Sequence, residues 1–477
     1  MSQRAFNQSL YREHVEELVS LAQMRSGWLS DWESTPGDVE GLELRMEAHI
    51  DALVLGGPAA HDVVRAAVEP DKPWSFYAWV TVACRTDHLE ILREALAPLE
   101  RLYDGSDDDG DLGDVDPPRI RRAIADALVH HAPEEWIEAI STELSQASPQ
   151  WASVLARCVG ARCWEQAAGA LELAARRPHA DTSAILRAHA QLPNIAPDLL
   201  LNHLRHSLRH SDPTVARVAA TGALRRGETR VFDVLRGSPR ASWATLPVAM
   251  ASGPDAGPWL AKVAIQHEPT QALIALGLLG DPVALEPLQE HLSVSGHAQA
   301  AGIGLFLITG ALLDTPDTPD TPDTPDTPGG PDDDDDDDDY DDYDDDLEFE
   351  ISLDVPRSSQ EISLAGSGIS TDPAAWTAWL CDHRERFQPG TRYRLGQLSS
   401  PLTDLTALIA TSMSLWLRQC LADEFAIRYA VTWPYEPDML VARQRALITR
   451  MRAQLARTDP DLHLTDGAWY FQRRVVQ

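Results

Sequence analysis

Between Asp314 and Asp346 the chain has nothing with which to build a core. The stretch opens as five copies of Asp-Thr-Pro, from Asp314 to Pro328, and passes through Gly329-Gly330-Pro331. It continues as unbroken aspartate from Asp332 to Asp339 and closes as Tyr340-Asp341-Asp342-Tyr343-Asp344-Asp345-Asp346. Proline at every third position removes backbone donors and favours an extended chain. A block of like charges with almost no apolar side chains repels itself and stays solvated. Residues 314–346 are therefore expected to be a disordered linker. It divides the chain into a body before it and a C-terminal module, 347–477, after it.

The body reads as all-α. Leu10, His14, Leu18 and Leu21 recur at helical spacing, and so do Leu42, Met46, Ile50 and Leu53. Ser34-Thr35-Pro36-Gly37 and Gly56-Gly57-Pro58 punctuate these stretches as helix boundaries should. Residues 1–103 make an N-terminal helical region. An acidic loop follows, containing Asp104-Gly105-Ser106-Asp107-Asp108-Asp109-Gly110-Asp111. It lacks the glutamate of a calcium loop at the twelfth position and reads as a solvated turn. From residue 117 to 313, alanine- and leucine-rich helices succeed one another across short turns, with no strand-like alternation between them.

A repeat is visible in this second region. Asp212-Pro213-Thr214 and Glu268-Pro269-Thr270 each open a helix with small residues along it: Ala216, Ala219, Ala220 and Ala223 in the first, Ala272, Ala275 and Gly277 in the second. Gly280-Asp281-Pro282 then starts a partner helix. Helix pairs with small residues at their crossings suggest a HEAT-like α-solenoid over 117–313. The segments Ala272–Leu288 and Ala301–Gly310, with Leu42–Leu53, Phe387–Gly396 and Pro437–Arg445, resemble an uncharacterised family of bacterial HEAT-repeat proteins. The resemblance implies an α-solenoid with no catalytic residues to carry over. It also implies a place beside type VI secretion genes, as an accessory or immunity component.

The net charge of −34 disfavours nucleic acid and anionic membranes as partners. No apolar run reaches the ~20 residues of a membrane span. The five cysteines show no pairing framework, which suits a cytoplasmic protein. Against this acidic background Arg205, Arg209, Arg217, Arg225, Arg226 and Arg230 crowd one stretch. An ordinary solvated stripe is the simpler reading; the sharper one is a surface on the concave side of the solenoid for an acidic ligand, either a partner or the chain's own aspartate tract. His203, His206 and His210 share one helical face. The arginines between them and the helix end beyond favour a charged surface over a metal site. Trp74 and Trp79, with Phe76 and Tyr77, are the densest aromatic cluster. They read as helix packing, with a partner hot spot as the alternative.

The C-terminal module is expected to be mainly helical, with a short ribbon from 347–353 and 361–364. No nucleophile elbow, phosphate loop or cofactor motif appears. The expected function is that of a non-enzymatic scaffold or adaptor binding another protein, a secretion-system component or toxin. The alternative is a lyase-type enzyme or small-molecule binder built on the same repeats.

Overall fold

The computed structural model describes residues 3–32, 34–95, 116–177, 182–192, 205–237, 242–266, 269–313, 368–410, 413–457 and 464–476. The aspartate tract, the ribbon expected at 347–364, most of the acidic loop and His203 lie outside the described residues.

The chain is mostly helical. Helix α1 (Gln3–Ser30) packs along α2 (Pro36–Leu55) and against α3 (Gly57–Ala66) and α4 (Pro73–Arg85). The break at Ser34–Gly37 is a capping box: the Thr35 hydroxyl accepts from Asp38 N–H, and the Asp38 carboxylate accepts from Thr35 N–H at 2.8 Å. Helix α5 (Pro117–His131) is followed by α6 (Ile137–Gln146), α7 (Pro149–Arg162) by α8 (Ala168–Ala175), then α9 (Thr182–Gln191). Next come α10 (Pro213–Arg225) with α11 (Val231–Arg236), α12 (Thr245–Ala251) with α13 (Gly257–Gln266), α14 (Pro269–Leu279) with α15 (Leu285–Leu292), and α16 (Ala298–Thr309).

One member of each pair is enclosed. Helices α4, α5, α7, α9, α10, α12, α14 and α16 stand side by side in that order, each packed on the next. Their composition explains the position. In α14 every residue from Gln271 to Leu279 is buried, and in α16 every residue from Ala300 to Thr309. A helix apolar all round must be covered all round. The second members bury a single stripe, such as Leu285, Leu288 and Leu292 in α15.

From α5 to α12 the enclosed helices start 31–33 residues apart. Pro213 and Pro269, 56 residues apart, open two helices of this row that are not adjacent, because α12 lies between them. That helix opens on Thr245-Leu246-Pro247 rather than on proline, which hides it from a search keyed to Asp/Glu-Pro-Thr. The small residues do lie at crossings. A Cβ on Gly277 would sit 2.5 Å from the Gly304 Cα, so α14 and α16 meet backbone to backbone.

The C-terminal residues do not form a body of their own. Helices α17 (Pro373–His383), α18 (Pro401–Ala410), α19 (Leu415–Tyr429) and α20 (Val441–Arg457) come with two hairpins, β1–β2 (Tyr393–Arg394, Gln397–Leu398) and β3–β4 (Tyr470–Phe471, Arg474–Val475). Helix α19 lies on α10 and α12, α17 on α15, β1 on α16, and α20 reaches back to α2. A single hydrophobic cluster runs from Leu186 through Phe306 and Trp376 to Phe471. The acidic tract is thus a boundary in the chain and not in the core.

The two hairpins do the same job. Each turns through two residues with positive φ, Leu395-Gly396 and Gln472-Arg473, as a two-residue hairpin of the primed type requires. In the first, the turn N–H groups of Leu395 and Gly396 donate to Leu307 O and Ile308 O at the end of α16, both at 2.9 Å. In the second, Gln472 and Arg473 donate to Ile427 O and Arg428 O at the end of α19, at 3.1 and 2.8 Å. A helix end leaves its last carbonyls without intrahelical partners, and each hairpin tip supplies the missing donors.

The chain leaves and re-enters this body at one place. Leu313 lies four residues past α16, while Ser370 touches Gly302 in the same helix. Exit and return are on the order of 25 Å apart by helical rise and extended reach. Replacing residues 314–367 by a Gly/Ser linker of about 12 residues, which reaches ~40 Å, should leave one cooperative thermal transition within about 3 °C of the parent. Two separate calorimetric transitions would show that the halves fold as independent bodies.

Candidate functional site

The basic stretch is divided between the surface and the interior. A cleft of about 700 Å³ opens between residues 205–211 and the start of α11. His206, Arg209, His210 and Arg230 are exposed at it, and Leu208, Val231 and Val234 add apolar lining. Arg205 is fixed at one wall by the carboxylate of Glu228, which it meets through Nε at 2.7 Å. The same carboxylate accepts from Arg230 N–H at 3.0 Å. Burial would raise the Glu228 carboxyl, yet the Arg230 N–H and Arg205 hold it below its usual range. His210 Nδ1 accepts from Asp212 N–H, while the Asp212 side chain caps α10 through Thr214 N–H.

The remaining arginines of the stretch face inward. Arg217 is 6 % exposed, and burial pushes its guanidinium down to about 10. Arg225 pairs with Asp423 of α19 at 3.1 Å. Arg226 donates to Leu192 O and His189 O, capping the end of α9. Arg162 does the same for α5, reaching Ala132 O at 2.8 Å. So the expected stripe of six arginines is no continuous surface: Arg209 and Arg230 are exposed, Arg205 flanks them, Arg217 is buried, and Arg225 and Arg226 tie neighbouring elements together. Trp74 and Trp79 are 8 % and 7 % exposed within the N-terminal core, where a partner cannot reach them without displacing α4. Much of the enclosed row is covered by residues 368–476, which occupy ground expected for a partner.

Two buried clusters of charge went unforeseen. In the first, Glu424 of α19 meets Arg392 at 2.5 Å, Arg394 at 2.7 Å and Arg428 at 2.8 Å, all with fully buried side chains. Asp404 adds contacts to Arg392 at 3.3 Å and to the Tyr429 hydroxyl at 2.8 Å. The arginines go on to cap helices: Arg394 donates to Leu278 O and Arg428 to Ala249 O, both at 2.7 Å. Trp469 Nε1 donates to Leu279 O beside them, and Gln472 Nε2 to Leu224 O. Burial alone would raise Glu424, but the three guanidiniums bring its carboxyl below the usual range.

The second cluster ties the loop between α19 and α20 to the N-terminal core. Asp438 pairs with Arg157, and Arg157 with Asp126 at 2.6 Å. The Asp438 carbonyl accepts from Arg25 at 2.8 Å and from His130 Nε2 at 3.1 Å. With Nε2 donating and burial holding the ring neutral, His130 Nδ1 accepts from the Tyr77 hydroxyl at 3.1 Å. Glu43 completes the group, taking Arg25 Nε at 2.8 Å and Val441 N–H at 2.7 Å. Neighbouring Glu436 is 7 % exposed, and its Oε1 has no hydrogen-bond partner among the described residues. Burial, then the adjacent Asp438, pushes its carboxyl up to about 8.

Among the described residues no three His, Cys, Asp or Glu side chains come together as a metal site, and His206 and His210 stand at the open cleft. No helix of the described residues is long and apolar enough to cross a membrane. No protein-family model, curated protein or solved structure matches the chain.

Substituting Glu424→Gln should destabilise the protein by about 3–5 kcal/mol, because three buried guanidiniums lose their common counter-charge; urea unfolding measures it. Glu436→Gln should act in the opposite direction. The folded state keeps a proton on Glu436 that the unfolded chain releases near its ordinary pKa, so stability falls as pH rises from about 4.5 to 8. Glutamine removes that loss: the variant should match the parent near pH 4 and exceed it by roughly 4 kcal/mol at pH 8. Parallel pH–stability curves would overturn this account of Glu436.

Proposed function

We propose that the chain is a non-enzymatic helical-repeat scaffold of the HEAT type, acting by binding another protein. The observation that carries this reading is how the ionisable side chains are used. The buried ones join one element to another: Glu424 to three arginines, Asp438 to Arg157, Arg225 to Asp423. The cleft at Arg209 and Arg230 instead presents cations to solvent. Side-by-side helices at a period near 32 residues suit a repeat array, in which each unit covers its neighbour.

The resemblance to bacterial HEAT-repeat proteins encoded beside type VI secretion genes suggests the partner's origin, a component or toxin of such a system. Co-expression of the full chain with each product of its neighbouring genes tests the proposal. One of them should elute with it in fixed stoichiometry on size exclusion. If none does, and the purified protein instead retains a small molecule in stoichiometric amount, the scaffold reading fails.

A further inference from the structure

Resting on that reading, we infer that the cleft between residues 205–211 and α11 receives an acidic segment of the partner protein, one that carries apolar side chains among its carboxylates. The lining sets this chemistry. Arg209 and Arg230 are exposed and approach from two separate elements, joined by the imidazoles of His206 and His210. Two guanidiniums facing one space suit carboxylates, which each can grip through two N–H groups. The space is not purely polar. Half-buried Val234 lines it as well, with the buried Leu208 and Val231 behind it, so an aliphatic side chain finds an apolar patch between the charges.

The wall is also prepared in advance. Glu228 holds Arg205 and the Arg230 backbone, so two of the cationic residues are positioned before anything binds. Its carboxylate is engaged on both oxygens, which limits its repulsion of an incoming acid.

A protein segment fits better than a nucleic acid. A phosphate backbone needs cations in a long track, and the residues that would extend one here, Arg217, Arg225 and Arg226, are turned into the fold. The protein as a whole carries a net charge of −34, which repels a long polyanion but tolerates a short acidic segment in a local cationic space.

Fluorescence anisotropy on the full-length protein tests the inference. The probe is a labelled 12-residue peptide of aspartate with leucine at every fourth position. An all-aspartate peptide and a 12-nucleotide single-stranded DNA serve as comparisons. The leucine-bearing peptide should bind most tightly, and its affinity should fall at least tenfold in the double variant Arg209→Glu/Arg230→Glu. It should also weaken when salt is raised from 0.1 to 0.5 M. Arg450→Glu, on the exposed face of α20, should bind like the parent, and circular dichroism should show both variants folded. Equal binding by the double variant, no binding by the parent, or tighter binding of the DNA would each overturn the inference. If a neighbouring gene product still forms its complex while the peptide does not bind, the scaffold reading survives and the cleft assignment falls.

Discussion

The position of Glu424 governs how the two ends of this chain become one body. Its carboxylate sits among three guanidiniums: Arg394 from the first hairpin, Arg392 just before it, and Arg428 from a turn further along α19. Two of those guanidiniums reach the terminal carbonyls of α12 and α14. Unpaired carbonyls at a buried helix end are costly, and so is an unpaired buried cation. Each problem answers the other here. The arrangement is directional, since only the C-terminal ends of helices offer carbonyls, and the enclosed helices packed in this region end on the same side.

The repeat array uses the same device internally. Arg162 caps α5 from the end of α7, and Arg226 caps α9 from the end of α10. An arginine just at the end of one enclosed helix thus serves the end of the previous one. Arginine suits this role because its flat fork can reach past a neighbouring backbone and remains charged when buried. A basic stretch in an acidic protein is therefore not by itself a docking surface. Here most of it is internal wiring, and the remainder gathers at one cleft.

How much of this was legible in the sequence varied with the range of the interaction involved. Helix periodicity, proline at first turns and the capping signal at Thr35 are local, and they located most helices. The small residues of α14 showed where helices cross, and Gly277 meets Gly304 of α16 accordingly. The hairpins were not legible. Their strands are two residues long, and Gln472-Arg473 occupies turn positions where glycine or asparagine would have been the signal. Those two residues are held in the left-handed region by backbone donation to Ile427 O and Arg428 O, a tertiary cause with no local trace. The buried charges were equally hidden. Glu424 and Arg428 look like a surface pair four residues apart, and only packing against α12 and α14 makes them interior. In the loop 431–440, Asp438 is drawn across to Arg157 by a contact with no local trace.

The close spacing of Leu313 and Ser370 has an evolutionary consequence. A segment whose two ends are already held together by the folded body exerts little leverage on that body's stability. Each doubling of such a loop costs only about 0.6 kcal/mol of closure entropy. Tandem Asp-Thr-Pro units can therefore be gained or lost by replication slippage with almost no selective signal from folding. Whatever fixes the number of copies at five must act through something other than the stability of the fold.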